Sequence, residues 1–247
     1  MTTRAILTGH SRGLGAALCE ALLKRGVAVL ALARSTQPGL ASRFPGRLRE
    51  VALDLSDGAA LVAWLEGSTL RDFLADAGQA LLVDNAGLLE PVALAGHQDP
   101  AAIVRAVALN VAAPLLLANA FAAATAGCAD RRILHVSSGA ARTPYAGWNV
   151  YCATKAALDH HARAVAAENL PGLRIVSLAP GVIDTGMQAL IRDADPEDFP
   201  MRDRFVAMQA AGGLARPEDA ARRMVDFLLG DGYGAAPTAD IRELAGS

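Results

Sequence analysis

Residues 5–15 read Ala-Ile-Leu-Thr-Gly-His-Ser-Arg-Gly-Leu-Gly, and this stretch decides the fold class of the chain. Its apolar start predicts a buried strand, and its three glycines predict a tight turn that opens a helix. Without side chains at such a turn, backbone amides and the helix N-terminus can approach a pyrophosphate closely. The spacing G-x-x-x-G-x-G differs from the common G-x-G-x-x-G, and a glycine-rich turn alone is equally compatible with plain turn chemistry. From this turn we predict six residues in contact with a dinucleotide: Gly9, Ser11, Arg12, Gly13, Leu14 and Gly15.

Short apolar runs alternate with helical patterns along the whole chain. We predict strands near 4–8, 27–33, 48–53, 80–83, 132–137, 173–178 and 238–241, and helices near 13–25, 59–65, 99–126, 149–169 and 216–229. This alternation predicts an α/β fold, a single Rossmann-like doubly wound parallel sheet of about seven strands with helices on both faces. Residues 1–247 are interpreted as one dinucleotide-binding and catalytic domain. Within it, the segment 185–213, with its prolines and glycines, is predicted to be an irregular, mobile flap over a site.

Composition restricts the class of protein. The 247 residues suffice for one large α/β domain, and the net charge of −2 gives no reason to expect a nucleic acid or an anionic membrane as partner. The longest apolar stretch, 111–118, is too short to span a bilayer, and the N-terminus does not read as a secretory signal. Three cysteines without a CxxC pair suit a reduced compartment, so we predict a cytoplasmic protein. No His, Cys and carboxylate set has zinc spacing, and no metal is expected.

The identity of the nucleotide follows from charge near the end of the second strand. An NAD-binding protein of this architecture usually carries an acidic residue about 20 residues past the glycines, for the ribose 2′-hydroxyl. Here no Asp or Glu lies between Glu20 and Glu50; Arg34 instead follows Gly15 by 19 residues, and Arg12 lies in the turn itself. Two guanidinium groups favour a 2′-phosphate, which predicts NADP(H) as cofactor. The alternative is that both arginines are solvated surface charges.

The ends of the third and fourth predicted strands add further nucleotide contacts. Asp54 and Leu55 follow the third strand, where the Asp54 carboxylate can accept a hydrogen bond from the adenine amino group or, as an alternative, cap the following turn. Asn85, Ala86 and Gly87 follow the fourth strand, where small residues let a nucleotide lie against the backbone. Asn and Gly are also common turn residues, so this motif is informative only together with the glycine turn.

A second constellation points to proton transfer. Tyr151 and Lys155 lie four residues apart on a predicted helix, 13 residues or more after Ser138, which ends a predicted strand. Residues four apart share a helix face, and the neighbouring ammonium is expected to lower the pKa of the phenol towards the range useful for acid–base work. Ser138 would hydrogen-bond the substrate oxygen as charge develops on it. These residues predict reduction of a carbonyl, in which the carbon receives a hydride and Tyr151 protonates the oxygen; the same set also serves alcohol oxidation.

With these motifs the chain resembles the short-chain dehydrogenase/reductase family across essentially its full length. The matching stretches are 8–15, 85–87, 109–111, 136–138, 151–155 and 180–185. The resemblance implies a catalytic set of Ser138, Tyr151, Lys155 and Asn110, with Asn110 holding a water that links the lysine to solvent. It also implies nicotinamide contacts from the segment after the sixth strand, namely Pro180, Gly181, Ile183 and Thr185.

Shorter motifs at 147–153 and 184–188 are similar to the group of sepiapterin reductases and bacterial benzil reductases. That group implies NADPH and, as substrate, a small ketone that is aromatic or a 1,2-dicarbonyl compound. Tyr145, Trp148 and Met187 would then line an apolar substrate pocket beside Ser138 and Tyr151. A different class, a non-catalytic dinucleotide sensor on the same fold, is disfavoured by the intact catalytic set.

Two acidic residues stand out against this family pattern. Asp84 lies where many members carry Asn before Asn-Ala-Gly. Asp240 resembles the position of a substrate-anchoring Asp in sepiapterin reductases, although an Asp at a strand end is usually structural. The family also implies a homodimer or homotetramer, formed through the alanine-rich helices 99–126 and 149–169.

Overall fold

The computed structural model describes residues 2–37 and 39–244, and its centre is a parallel sheet of seven strands. The strands are β1 (Thr3–Thr8), β2 (Ala28–Ala33), β3 (Leu48–Ala52), β4 (Gln79–Asp84), β5 (Arg131–Val136), β6 (Leu173–Ala179) and β7 (Thr238–Asp240). They lie in the order β3-β2-β1-β4-β5-β6-β7, and every neighbouring pair is parallel. The predicted fold class is confirmed.

Helices cover both faces of this sheet. They are α1 (Gly13–Lys24), α2 (Leu40–Arg43), α3 (Gly58–Glu66), α4 (Thr69–Leu74), α5 (Pro100–Val107), α6 (Ala113–Ala124), α7 (Asn149–Ala167), α8 (Gly186–Asp193), α9 (Arg202–Ala210) and α10 (Pro217–Leu229). A π-helical turn, Ala108–Ala112, joins α5 to α6, so the predicted helix 99–126 is continuous but contains a wide turn. Such turns are frequent at functional sites.

Strand β1 shows why both faces must be covered. Ala5 and Leu7 belong to the apolar core shared with α1 and α10, whereas Ile6 belongs to the core shared with α3, α4, α6 and α7. Successive residues of a strand point to opposite faces. A continuous apolar run such as this one is therefore stable only where helices cover each side, as in a doubly wound sheet.

The segment 185–213 differs from its prediction. It was expected to be irregular, but it contains the helices α8 and α9. Pro196 and Pro200 lie between these helices and Gly212 and Gly213 lie after them, so the helix-breaking residues mark boundaries rather than a structureless loop. Phe199 and Phe205 from this segment are buried, and they fix it against the body of the protein.

The combined helix Pro100–Ala124 is long and apolar enough to cross a membrane by length and composition alone. Its buried face, however, packs on the sheet through Leu117, Ala118 and Phe121. A core helix of a soluble protein meets the same criterion, so this helix is weak evidence for a membrane span.

Candidate active site

The predicted site residues converge at one edge of the sheet. The glycine turn follows β1, residues 85–87 follow β4, Ser138 follows β5 and residues 180–185 follow β6. Because all these strands are parallel, their carboxyl ends lie at the same edge, where ligands of open α/β sheets bind.

The glycine turn has a shape that only glycine permits. Gly9 and Gly13 have φ angles of 73° and 55°, which are unfavourable for residues with a side chain. A Cβ atom at Gly15 would lie 1.9 Å from the carbonyl oxygen of Gly9. The turn therefore folds tightly under the first residues of α1 and leaves the backbone amides of the helix N-terminus accessible to an anion.

Hydrogen bonds between the ends of β1 and β4 hold this turn in place. The hydroxyl oxygen of Thr8 accepts from the amides of Asn85 and Ala86, both at 2.9 Å. The side-chain amide of Asn85 donates to the carbonyl oxygens of Thr8, at 3.0 Å, and Gly9, at 3.2 Å. The Asn85 side chain thus supports the glycine turn, and only the backbone of Asn85 stays available to a nucleotide.

The remaining residues of the turn differ in exposure. Arg12 is exposed, Ser11 is half-buried, and Leu14 packs partly against the core. Arg12 and Gly13 border a cavity of about 310 Å³ whose other lining residues are Ala16, Ala17, Glu20, Gln37, Pro217 and Glu218. The charged side chain of Arg12 is therefore free to reach a ligand at this end of α1.

Arg34 and Asp54 lie close together, as expected for residues that follow neighbouring strands. Arg34 is exposed just beyond β2. The pKa of Asp54 is below its usual value, chiefly because its carboxylate accepts hydrogen bonds from the Ser56 hydroxyl and amide, at 2.7 and 2.9 Å, and also because of the Arg34 charge. Asp54 therefore caps the following turn, which was the alternative considered above, and its second oxygen stays free to accept. Leu55 is buried in the core, so only its backbone can reach a nucleotide.

A contact between His10 and Glu50 was not predicted from the sequence. The buried Nε2 of His10 lies 2.6 Å from Oε1 of Glu50, which also accepts from the amide of Gln37 at 2.7 Å. Through Glu50 the glycine turn is connected to the loop that follows Arg34. No local pattern signals this contact, because the two side chains are 40 residues apart.

The proposed catalytic side chains come together at the start of α7. Tyr151 and Lys155 are 7% and 5% exposed, and the ammonium nitrogen of Lys155 is 5.7 Å from the Tyr151 ring centroid. This nitrogen donates to the carbonyl oxygen of Val136 at 2.9 Å, so the end of β5 fixes the lysine. The Ser138 hydroxyl lies on the same site, where its hydrogen bond acts to lower the Tyr151 pKa.

The pKa values at this site correct one expectation. Burial raises the pKa of Tyr151 to about 12, and the hydrogen bond from Ser138 offsets only part of that effect. Burial also lowers the pKa of Lys155 to about 8, against the opposing charges of Asp84 and Asp159. The expected lowering of the phenol pKa by Lys155 is therefore wrong for this structure, because removal from water dominates.

Asn110 lies in the π-helical turn and is almost completely buried. Its Oδ1 accepts from the amide of Leu88 at 2.9 Å, and its Nδ2 donates to the Leu88 carbonyl at 2.8 Å and the Thr154 hydroxyl at 3.2 Å. A Cβ atom at Gly87 would lie 3.3 Å from Oδ1 of Asn110 and 3.5 Å from the Lys155 nitrogen. The structure thus brings Asn110, Gly87 and Lys155 into one small space.

The segment after β6 completes the nucleotide side of the site. Pro180 follows the strand, and Gly181 has a φ angle of 79° that turns the chain. Ile183 forms a β-bridge to Ala215 that fixes the segment. Thr185 then faces the glycine turn, since a Cβ atom at Gly13 would lie 3.4 Å from its methyl carbon.

Tyr151 belongs to an aromatic cluster, which we define as Tyr145, Trp148, Tyr151, Phe199 and Phe205. Trp148 stacks on Phe199 with ring centroids 4.5 Å apart, and its ring meets that of Tyr151 edge-on at 5.8 Å. Met187 packs partly buried against the same cluster. The predicted pocket residues Tyr145, Trp148 and Met187 thus lie together. Phe199 and Phe205 were not predicted, because the segment 185–213 was expected to be irregular.

Asp240 is engaged within its own chain. Its carboxylate accepts from the Arg242 amide and guanidinium, at distances from 2.6 to 2.9 Å, and these hydrogen bonds hold its pKa below the usual value. This arrangement favours the structural interpretation of Asp240 over contact with substrate.

Comparison with known proteins agrees with this geometry. The family model described as short chain dehydrogenase matches residues 3–196. The chain belongs to the short-chain dehydrogenase family. It is 33% identical to a benzil reductase ((S)-benzoin forming) of Bacillus cereus, with 90% of this chain and 92% of the relative covered. It is also 33% identical to a sepiapterin reductase of Meriones unguiculatus, with 95% and 94% covered.

Among solved structures, a short-chain dehydrogenase/reductase from Burkholderia vietnamiensis is 49% identical, covers 98% of both chains and superposes with a TM-score of 0.72. Together these relatives show that the protein is an oxidoreductase of this family, and the family binds a nicotinamide dinucleotide. The residues present fit such a group. A Cβ atom at Gly87 would fill a small space between Asn110 and Lys155. This space lies just after β4, and the Asn85 amide that follows the same strand donates to Thr8 beside the glycine turn.

Proposed function

We propose that the protein is an NADPH-dependent carbonyl reductase that acts on a small ketone, either aromatic or a 1,2-dicarbonyl compound, with Tyr151 as proton donor. The observation that carries this proposal is the position of the buried Tyr151 ring, beside the Lys155 ammonium and within an aromatic cluster at the ligand-binding edge of the sheet. The names of the benzil and sepiapterin reductases support a carbonyl substrate.

The chain's own residues handle the proton. With a pKa of about 12, Tyr151 is protonated at neutral pH and can donate to a carbonyl oxygen. The Ser138 hydroxyl donates a hydrogen bond to the same oxygen as negative charge develops there. The Lys155 ammonium stabilises the phenolate that remains, and Asn110 orders the path by which Lys155 regains contact with solvent. Bound NADPH supplies the hydride.

The protonated phenol favours the reductive direction. Alcohol oxidation, the alternative, requires Tyr151 as a base, and burial disfavours its phenolate form. The fully assembled set of Ser138, Tyr151, Lys155 and Asn110 supports an enzyme over the second alternative, a dinucleotide sensor.

For the cofactor we propose NADP(H), held by Gly9 and the other residues of the glycine turn, by the 85–87 and 180–185 segments and by Asp54 at the adenine. Arg34 and Arg12 would bind the 2′-phosphate, and the exposure of both guanidiniums at the same edge supports this role.

The protein would act as one domain in the cytoplasm, with the segment 185–213 as a substrate flap.

We also propose a homodimer or homotetramer. The outward face of α5 carries Val104 and Val107, which are 68% and 44% exposed. Val107 borders an apolar groove between α5 and α7, whose other lining residues are Ile103, Val111, Asn149, Val150, Ala153 and Thr154. Exposed apolar area of this kind supports contact with a second copy of the chain.

The function is tested with Tyr151→Phe. This variant keeps the ring in the aromatic cluster but has no proton to donate, so kcat with benzil should fall about 10²- to 10⁴-fold. The dissociation constant of NADPH, measured by fluorescence, should stay within about twofold, because the hydroxyl is not needed to hold the nucleotide. Turnover is followed by NADPH absorbance.

A matched control is Tyr233→Phe, which removes a buried hydroxyl that donates to the Ile133 carbonyl, away from the site. Its kcat should be preserved even if its stability falls. If Tyr151→Phe retained full turnover, the proton-donor assignment would be wrong.

The cofactor proposal is tested with Arg34→Asp. A carboxylate next to Asp54 would repel the 2′-phosphate, so the KM for NADPH should rise at least about tenfold while the KM for NADH stays the same or falls. The same charge reversal at the exposed Arg71 on α4, remote from this edge, is the control and should change neither value. An unchanged ratio of the two KM values for Arg34→Asp would exclude Arg34 from the 2′-phosphate site.

A further inference from the structure

Three titratable side chains, Asp84, His135 and His161, form a row beneath α7 that the mechanism above does not use. Nδ1 of His135 lies 3.0 Å from Oδ2 of Asp84, and Nε2 of His135 lies 3.0 Å from Nδ1 of His161. Both distances suit hydrogen bonds between a ring N–H and an acceptor. We call these residues the buried chain.

Sheet register creates the inner part of the buried chain. Asp84 ends β4, and His135 lies directly opposite it on β5, so both side chains point to the face covered by α7. Asp84 is 3% exposed and His135 0%, whereas His161 on α7 is only half-buried and can exchange protons with solvent. Oδ1 of Asp84 is buried and has no hydrogen-bond partner among the residues that the structure describes.

The inner end of the buried chain lies near Lys155, whose ammonium nitrogen donates to the carbonyl oxygen of Val136, the residue after His135. Burial lowers the pKa of Lys155, and the carboxylates of Asp84, from β4, and Asp159, from α7 itself, oppose that effect. Burial likewise raises the pKa of Asp84, and His135 and Lys155 oppose it. Tyr151, one turn before Lys155 on α7, is a further titratable group beside the ammonium.

The charge of Asp159 is largely neutralised by its own contacts. Its Oδ2 accepts from the Arg142 guanidinium at 2.9 Å, and its Oδ1 accepts from the hydroxyls of Ser137 and Ser177, both at 2.8 Å. Of the two carboxylates near Lys155, that of Asp84 therefore has the negative charge that is less neutralised by hydrogen bonds.

If each imidazole ring carries its proton on Nδ1, both hydrogen bonds of the buried chain run the same way, from His161 towards Asp84. In that arrangement the Nδ1–H of His161 donates to Nε2 of His135, and the Nδ1–H of His135 donates to Oδ2 of Asp84. Burial and the neighbouring His135 lower the pKa of His161 to about 4, so its neutral form prevails at pH 7.

We propose that Asp84, held by His135 and His161, is a positioning residue that keeps a negative charge beneath Lys155 and so maintains the ammonium form of the lysine. The inference rests on the proposed function, because it assigns Lys155 to the proton-transfer step. His135 and His161 orient the carboxylate, and His161 connects it to solvent.

The test is the pH profile of kcat/KM for NADPH-dependent reduction of benzil. In Asp84→Asn the isosteric amide removes the negative charge, so the alkaline limb of the profile should move to lower pH by about one unit. At a pH well above the midpoint of that limb, kcat/KM should then be about tenfold lower than in the unsubstituted protein. Asp57→Asn is the control, since Asn also caps α3 and the residue is exposed. An unmoved alkaline limb in a folded Asp84→Asn would overturn the proposal.

A second measurement needs neither the variant nor activity. In the unsubstituted protein, ¹⁵N NMR of the imidazoles should show His135 neutral at pH 7 with its proton on Nδ1. An imidazolium at His135 would overturn the proposal, since it would cancel the Asp84 charge. If the protein reduced no carbonyl compound at all, the proposed function would fail while the NMR result still decided the charge of the buried chain.

Discussion

The first turn of α7 and its middle turns lie in opposite surroundings. Around the first turn, Trp148 and Tyr151 belong to the aromatic cluster, and their contacts are ring against ring. Around the middle turns, Asp159 and His161 contact Ser137, Ser177 and the buried chain through hydrogen bonds of 2.8 to 3.0 Å. Lys155 lies between the two regions.

The difference teaches how one helix can serve two purposes. Apolar contacts are non-directional, so the first turn can adapt to an aromatic ligand without breaking a hydrogen bond between side chains. Buried hydrogen bonds are directional and costly to break, so the middle turns fix the orientation of the helix and the charge near Lys155. If this comparison is right, the free energy of unfolding should depend on ring contact at the first turn and on charge and hydrogen bonding at the middle turns.

The largest effect is expected at Trp148. Trp148→Ala removes a ring that is 4% exposed and stacked on Phe199, and the free energy of unfolding should fall by about 3–5 kcal/mol. Urea denaturation measures the change.

The control for this prediction, Trp148→Phe, keeps a ring against Phe199 and removes Nε1, which is buried and has no hydrogen-bond partner within residues 2–37 and 39–244. Its loss should be much smaller, because no hydrogen bond is broken. Equal losses for the two variants would show that the first turn depends on the indole itself and not on apolar contact.

Most of the fold and the nucleotide side of the site could be predicted, because their signals are local. The turn after β1 requires glycine at positions 9, 13 and 15 for backbone reasons visible in a few residues. Each predicted strand ends within one residue of the observed one, since apolar runs bounded by polar residues mark strands directly.

What could not be predicted depends on distant residues meeting. Asp84 and His135 are 51 residues apart, and only the register of β4 and β5 brings them together. A histidine in a helical pattern can be either buried and hydrogen-bonded or exposed to solvent, and nothing else in the sequence around His161 distinguishes the two. The Tyr151 pKa was predicted wrongly for a related reason: the cation at Lys155 is visible in the sequence, but the degree of burial is not.

A smaller effect is expected at Asp159, in the middle of α7. Asp159→Asn keeps an oxygen for the hydroxyls of Ser137 and Ser177 but places an amide N–H opposite the Arg142 guanidinium, which also donates. The free energy of unfolding should fall by about 1.5–3 kcal/mol, the usual contribution of a hydrogen bond to a charged group.

A double-mutant cycle with Arg142→Ala separates the charge pair from the serine contacts. The two substitutions should be less than additive by at least about 0.5 kcal/mol, because either one removes the same interaction. Strict additivity would mean that Arg142 does not stabilise Asp159. The middle turns would then be held by the serine hydroxyls alone, and the charge of Asp159 would act on Lys155 with less compensation than the distances to Arg142 indicate.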